Sequence, residues 1–168
     1  QAWSSAASDV YKRQPLLFVD LKSISFSAFN VYILNPLVIS WILLNVKNLE
    51  YLFKSIKSVL NQTYKNYEII LIYDNDNKND LKIIKRKFKK LKKLIIVENK
   101  INLGVAKSRN IGLSKSNGKY IAFLDADDYW KKNKLKIKIN FMKQNSLDLS
   151  YSSYEILRGN MKKKHTVK

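Results

Sequence analysis

Asp125, Asp127 and Asp128 close the apolar run Tyr120-Ile-Ala-Phe-Leu124 in a chain that carries 32 Lys and Arg against 13 Asp and Glu. Three carboxylates on one tight strand end disfavour each other's ionisation unless a cation or hydrogen-bond donors compensate. A divalent ion removes the conflict. Mg²⁺ or Mn²⁺ takes oxygen ligands, is held by one or two carboxylates, and fills its other positions with water and substrate phosphates, so an Asp-x-Asp pair suits a nucleotide diphosphate. Taken alone, the same residues equally close a strand and cap the next helix, and Asp128 before Trp130 fits that role.

The elements that must position these carboxylates are read from hydrophobic period. Leu49, Leu52, Phe53, Ile56, Val59 and Leu60 share one helical face, with Asn48 as its cap and Asn61 near its end. Glu68-Ile-Ile-Leu-Ile-Tyr73 is a continuous apolar run of strand length, as in a parallel strand buried on both sides. A polar loop, Asp74 to Asp80, leads to a second helix with Leu81, Ile84, Phe88 and Leu91 on its apolar face, and Leu94 to Val97 is the next strand. A third helix is expected after the loop Asn99 to Gly104, ending near Ser116, followed by the turn Asn117-Gly118 and the strand Tyr120 to Leu124. A fourth helix turns Leu135, Ile139 and Met142 inward, and Leu147 to Ile156 reads as the start of another strand. This alternation predicts a three-layer α/β/α sandwich with a mostly parallel sheet, and such sheets bind ligands at the carboxyl ends of their strands. Both acidic loops, after Tyr73 and after Leu124, fall there.

Composition bounds the rest. At 168 residues with 46% hydrophobic content, one domain with a real core is expected. The net charge of +19 comes almost wholly from Lys spread over helices. Solvated helix faces account for it, and no arginine-rich, aromatic-interleaved or zinc-spaced segment points to nucleic acid. Cysteine is absent, so there is no disulfide, thiolate nucleophile or Cys-based metal site. The sole histidine, His165, lies in a basic tail without a partner nearby in sequence. Residues through about Gln14 fit no periodicity and are set aside. The uncharged stretch between Lys22 and Lys47 is long enough for a membrane span, but Ser, Asn and Asn35-Pro36 punctuate it, and a buried strand over Leu37 to Leu44 is the preferred reading. No Gly-x-Gly-x-x-Gly or Walker-type loop is present, which speaks against a dinucleotide oxidoreductase or a P-loop ATPase.

Five segments occur in an order that carries a resemblance: Ser55-Ile-Lys-Ser-Val-Leu-Asn-Gln-Thr-Tyr64; Tyr67-Glu-Ile-Ile-Leu-Ile with an Asp beyond it; Asn102-Leu-Gly-Val-Ala-Lys-Ser-Arg-Asn-Ile-Gly112; Gly118-Lys-Tyr-Ile-Ala-Phe-Leu-Asp-Ala-Asp-Asp128; and Tyr129-Trp130. From about Pro36 the chain resembles the nucleotide-binding half of a family-2 glycosyltransferase of the GT-A fold. The resemblance implies an inverting transfer from a nucleoside-diphosphate sugar, UDP-linked in the first instance, to a glycan or lipid-linked acceptor, in bacterial surface-polysaccharide synthesis. It implies Mg²⁺ or Mn²⁺ on Asp125 and Asp127, with Asp128 sharing that duty, and Asp74 on the nucleobase or ribose, where a carboxylate can accept an imide N–H or a hydroxyl. Arg109 and Asn110 match the family's Arg-Asn near the nucleotide, although helix-surface or carboxylate pairing is an equally ordinary use of such an arginine. Asn61 to Tyr64 is read as a structural helix exit.

The chain departs from the family pattern in places. The usual Pro-x-Tyr-Asn after the first strand is missing from Ser40-Trp-Ile-Leu-Leu-Asn45; Tyr73 stands for the first Asp of the nucleotide loop, Asn75 for its Gly and Lys78 for a later Asp. Glu155 is the only acidic residue beyond Asp148 and does not match the family's catalytic base. The expected layout is therefore an irregular lead-in over 1–35, a partial GT-A domain over 36–157, incomplete at its C-terminus, and a basic tail over 158–168. The expected site is cytoplasmic, at the inner face of the cell membrane if the domain makes peripheral contact there. Two alternatives compete: a non-catalytic nucleotide-sugar or metal-binding remnant, and a basic polyanion-binding domain.

Overall fold

The computed structural model describes residues 48–155 in full and, beyond them, the strand backbone at 18–20, 35–44, 156–158 and 161–165. The elements in order are β1 (Phe18–Asp20), β2 (Asn35–Leu44), α1 (Leu49–Leu60), β3 (Tyr67–Tyr73), α2 (Lys78–Lys87), β4 (Leu94–Glu98), α3 (Gly104–Ser114), β5 (Gly118–Asp125), α4 (Lys134–Gln144), β6 (Leu149–Ser150), β7 (Tyr154–Arg158) and β8 (Met161–His165).

The main sheet runs β4-β3-β2-β5-β1-β6. β2 pairs in parallel with β3 on one side and β5 on the other, and β3 pairs in parallel with β4; β1 alone runs against its neighbours. Registers align Trp41 with Ile69 and with Ala122, and Leu44 with Asp125. The chain therefore winds outward from β2 to β4, then crosses back through α3 to lay β5 on the other side of β2. That reversal opens the crevice in which open parallel sheets bind ligands.

The continuous apolar strands are explained by cover on both faces. On one face Leu52, Ile56 and Val59 of α1, Leu81 and Ile84 of α2, and Leu135, Ile139 and Met142 of α4 pack with Ile69, Leu71, Ala122 and Leu124. On the other, Ile70, Ile72 and Ile121 pack with Ile111 and Leu113 of α3. The three-layer α/β/α sandwich expected from the alternation is what forms.

Several boundaries differ from the sequence reading. α2 stops at Lys87; Phe88 is its C-cap, and Leu91 packs on the core from the turn beyond, so apolar spacing alone overran the helix. α3 ends at Ser114, not Ser116, whose hydroxyl donates back to Gly112 O at 2.8 Å. The strand expected over Leu37 to Leu44 begins at Asn35. Within the stretch read as lead-in, Phe18–Asp20 pairs with β5, and within the stretch read as tail, Met161–His165 pairs antiparallel with β7. Three-residue and lysine-rich strands have no periodicity of their own to read; pairing partners distant in sequence create them. No helix among the described residues is long and apolar enough to cross a membrane; residues 21–34, which hold half of the uncharged stretch, and 45–47 lie outside them.

Candidate active site at the carboxyl edge of the sheet

Strand termini bring the acidic loops to one edge. β3 ends at Tyr73, so Asp74 is the first residue past it, and β5 ends at Asp125 itself. β2 lies between them, which separates the two positions by two strand spacings, roughly 10 Å. Pleating exposes alternate residues along the end of β5. Asp125 is partly exposed, Ala126 buried and Asp127 exposed, the last two in the turn just past the strand. Asp128 N–H then donates to Asp125 O at 3.0 Å and closes a turn. Among the described residues no three Asp, Glu or His side chains converge. Asp125, Asp127 and Asp128, the expected metal set, share this one turn without forming such a group.

Arg109 joins this group from α3. Its Nη2 lies 3.6 Å from Asp125 Oδ1, and its guanidinium carbon sits 5.8 Å from the centre of the Phe123 ring, within cation–π range. Its Nε is buried without a hydrogen-bond partner. Burial holds the Asp125 carboxyl above the ordinary carboxylate range; Arg109 works against that shift and Asp127 adds to it. Burial and the neighbouring Asp127 thus both disfavour the Asp125 anion, and a divalent cation between Asp125 and Asp127 would favour it. Mg²⁺ or Mn²⁺ held by one or two carboxylates and a diphosphate fits these residues. Asn110, the neighbour of Arg109, is exposed on α3.

Asp74 is placed differently from its expected use. Only 7% of the residue is exposed, and its carboxylate is turned into the protein. Oδ1 accepts from Asn99 Nδ2 and from Leu103 N–H, both at 2.8 Å, and Oδ2 accepts from Gly104 N–H at 2.8 Å. Asn99 Nδ2 also reaches Ser108 Oγ at 3.0 Å. Burial alone would raise the Asp74 pKa; the donors from Asn99, Leu103, Gly104 and Ser108 outweigh it and hold the carboxyl below its ordinary range. The substituted nucleotide loop has its own turn. The buried Tyr73 hydroxyl donates to Asn77 O at 2.5 Å, Asn77 N–H donates to Asn75 Oδ1 at 3.0 Å, and Asn77 Oδ1 caps α2 by accepting from Asn79 N–H and Asp80 N–H. Lys78, standing where the family pattern has an Asp, pairs with Glu98 Oε1 at 2.5 Å.

The far side of the Asp-Ala-Asp loop is tied to α1. Gln62, fully buried, donates through Nε2 to Lys131 O at 2.9 Å and Ser58 O at 3.1 Å, and accepts through Oε1 from Leu135 N–H at 3.1 Å. Trp130 N–H donates to Ser58 Oγ at 3.1 Å and Thr63 N–H to Lys132 O at 3.0 Å. The helix exit read at Asn61 to Tyr64 is structural, and what it holds is the acidic loop. An open cleft of about 600 Å³ lies beside it, lined by Lys54, Lys57, Ser58, Tyr129, Trp130 and Lys132. Glu155 pairs with Lys131 at 2.7 Å. Lys134 Nζ lies 5.1 Å from the centre of the Trp130 ring, and burial, then Lys138, lower its pKa to about 8 against the pull of Asp128. Sequence reasoning did not single out Asn99, Ser108, Lys134 or Lys138. Only the type of Asn99, a lone amide at a strand end, hinted at its part.

Comparison with known proteins agrees with this geometry. The model of the family "Glycosyl transferase family 2" matches residues 40–167. A glycosyltransferase of Rickettsia bellii is 42% identical over 123 residues, covering 73% of this chain and 18% of the relative. The Escherichia coli protein WfgD, a UDP-Glc:alpha-D-GlcNAc-diphosphoundecaprenol beta-1,3-glucosyltransferase, is 37% identical over 107 residues, covering 63% of this chain and 41% of its own length. Among solved structures, the mannosyltransferase PcManGT of Pyrobaculum calidifontis, in complex with GDP-Man and Mn²⁺, superposes with a TM-score of 0.55 at 16% identity, over 64% of this chain and 32% of that one. The chain spans less than half the length of each of these proteins. Matched over most of its length by the family model and folded as an α/β domain of GT-A type, the chain belongs to glycosyl transferase family 2.

Proposed function

We propose that this domain binds the nucleoside-diphosphate sugar of an inverting, metal-dependent glycosyl transfer to a hydroxyl of a glycan or lipid-linked acceptor. The observation that carries this reading is the grouping of Arg109, Asp125 and Asp127 at the carboxyl edge of β5, with Arg109 Nη2 3.6 Å from Asp125 and its buried Nε unpartnered. Asp125 and Asp127 would hold Mg²⁺ or Mn²⁺, which when bound supplies positive charge to the diphosphate as it leaves. Arg109 has donors to spare for a phosphate oxygen, in the fork geometry that suits such anions. Its stack on Phe123 keeps the guanidinium from following the ligand into solvent. The UDP-glucose donor and diphosphoundecaprenol acceptor in the name of WfgD support a UDP-linked donor and, for the acceptor, a lipid-linked glycan. A lipid acceptor would bring the domain to the cytoplasmic face of a membrane, and a charge of +19 favours an anionic surface.

Calorimetric titration of UDP into the purified chain, with and without Mn²⁺, tests the reading beside an Asp125→Ala, Asp127→Ala double variant. Metal-dependent binding that disappears in the double variant is the expected result. Binding indifferent to both metal and the two substitutions would assign the nucleotide elsewhere, and no binding to folded wild type would refute the donor site.

A further inference from the structure

We infer that Asp74 is a positioning residue: its carboxylate fixes the N-terminus of α3, and through it the guanidinium of Arg109, and it does not itself read the nucleotide. This rests on the donor-site reading above.

A carboxylate offers about four lone-pair sites on its two oxygens. Asn99 Nδ2 and Leu103 N–H take Oδ1, Gly104 N–H takes one position on Oδ2, and the Ser108 hydroxyl bonds the carboxylate as well. Little acceptor capacity remains, and a residue exposed to only 7% presents little of it to a ligand. The two amides it receives belong to the start of α3. That helix has Leu103 at its N-cap, whose side chain makes no capping bond, and the one local side-chain acceptor at its start is Asn102 Oδ1, 3.0 Å from Gly104 N; the first N–H groups of a helix otherwise lack partners. From the end of β3 Asp74 supplies the acceptor for Leu103 N–H and a second, charged one for Gly104 N–H, as an anion where the helix dipole favours one. Gly104 takes φ +78, which lets the chain turn into the helix at the point where Asp74 grips it.

Arg109 stands five residues into the helix that begins at Gly104, roughly 7.5 Å along its axis. From there its guanidinium passes over the Phe123 ring to Asp125. Asp74 after β3 and Asp125 at the end of β5 are thus coupled through α3, which spans the strand between them. Were the N-terminus of α3 released, a rigid helix would carry Arg109 away from Asp125.

Backbone hydrogen exchange and the Arg109 Nε–H signal, both followed by NMR on the ligand-free chain, test the inference without nucleotide. In wild type the Leu103 and Gly104 amides are expected to be protected, and Arg109 Nε–H, being buried, to exchange slowly. In Asp74→Asn the protection of Leu103 should fall by about tenfold or more, that of Gly104, which keeps Asn102 Oδ1, by less, while Ile70 and Ile121 keep theirs, and Arg109 Nε–H should exchange faster. With UDP and Mn²⁺, affinity should fall about tenfold in Asp74→Asn but less than about twofold when the same change is made on Arg109→Ala, because coupled residues are non-additive. Free-rate exchange of Leu103 and Gly104 in wild type would overturn the inference. So would an equal loss of UDP affinity in both backgrounds with exchange unchanged, the signature of a direct nucleotide contact. If Asp74→Asn does not fold, Asn99→Ala, which removes one of the four donors, should lower protection at Leu103 several-fold; unchanged protection refutes the clamp. A wild type that fails to bind UDP would refute the donor-site reading, and the exchange measurements would still decide the role of Asp74.

Discussion

Replacing Gln62 by Leu should destabilise the domain by about 2 kcal/mol. The orientation of the Gln62 amide is forced, since flipping it would set its NH₂ against Leu135 N–H and its oxygen against two carbonyls. Leucine keeps the volume and removes all three bonds. Lys131 is exposed, so its carbonyl can turn to water, at a cost of about 1 kcal/mol. Leu135 is fully buried at the start of α4, whose N-cap Asn133 makes no side-chain capping bond. Its N–H would lose its acceptor with no water at hand, costing about 2 kcal/mol, and the added apolar burial of leucine returns about 1 kcal/mol. Urea unfolding should show the midpoint falling by about 1 M with the slope unchanged, and exchange at Leu135 N–H should accelerate. A loss under about 0.5 kcal/mol with Leu135 still protected would mean that Gln62 caps nothing.

Asp125 and Lys134 yield two further predictions. Asp125→Asn should stabilise the ligand-free chain at neutral pH by a few tenths of a kcal/mol, small because the side chain is about one-third exposed and screened, and should abolish metal-dependent UDP binding. The folded pKa of Asp125 lies above its unfolded value, so the folded state holds the extra proton, and wild-type stability should fall as pH rises through that window; the variant, measured by thermal melts from pH 4 to neutrality, should lack this slope. Lys134 has a folded pKa of about 8 against an ordinary 10.5, so between those values the unfolded chain binds more protons and stability should rise with pH. Urea midpoints of Lys134→Gln and wild type should accordingly differ more at pH 7.5 than at pH 10, and a constant difference would contradict the burial of Lys134 against Trp130.

The layers and the carboxyl-edge location of the site were legible because they follow from local period: Leu52, Ile56 and Val59 recur at helical spacing, and Ile69 to Ile72 form a run only a doubly covered strand would carry. Asp125, Asp127 and Arg109 were legible as residue types in a familiar order, and the structure brings Arg109 and Asp125 within 3.6 Å. The burial of Asp74 was not. A strand-end Asp facing solvent and one facing inward have the same one-letter pattern; what turns Asp74 inward is a pair of backbone N–H groups 29 and 30 residues away. Backbone donors leave no mark on residue type. Lys134 and Lys138 were lost for another reason, being two among many lysines, distinguished only by the packing of α4 on Trp130 and on the Tyr151 carbonyl.

The N-cap side chains of α3 and α4 make no capping bond, and each helix start takes an acceptor from far along the chain, Asp74 for one, beside the local Asn102, and Gln62, 73 residues before its partner, for the other. Helix nucleation is the unfavourable step, and closing loops of such length adds an entropic cost before any contact rewards it. As excised peptides both segments should therefore be largely coil in water. In the whole chain they should be late to acquire structure, after β3 and α1 have met, with Arg109 and the Asp-Ala-Asp turn settling last. Binding competence would then appear only with the final folding phase, not with early helix content.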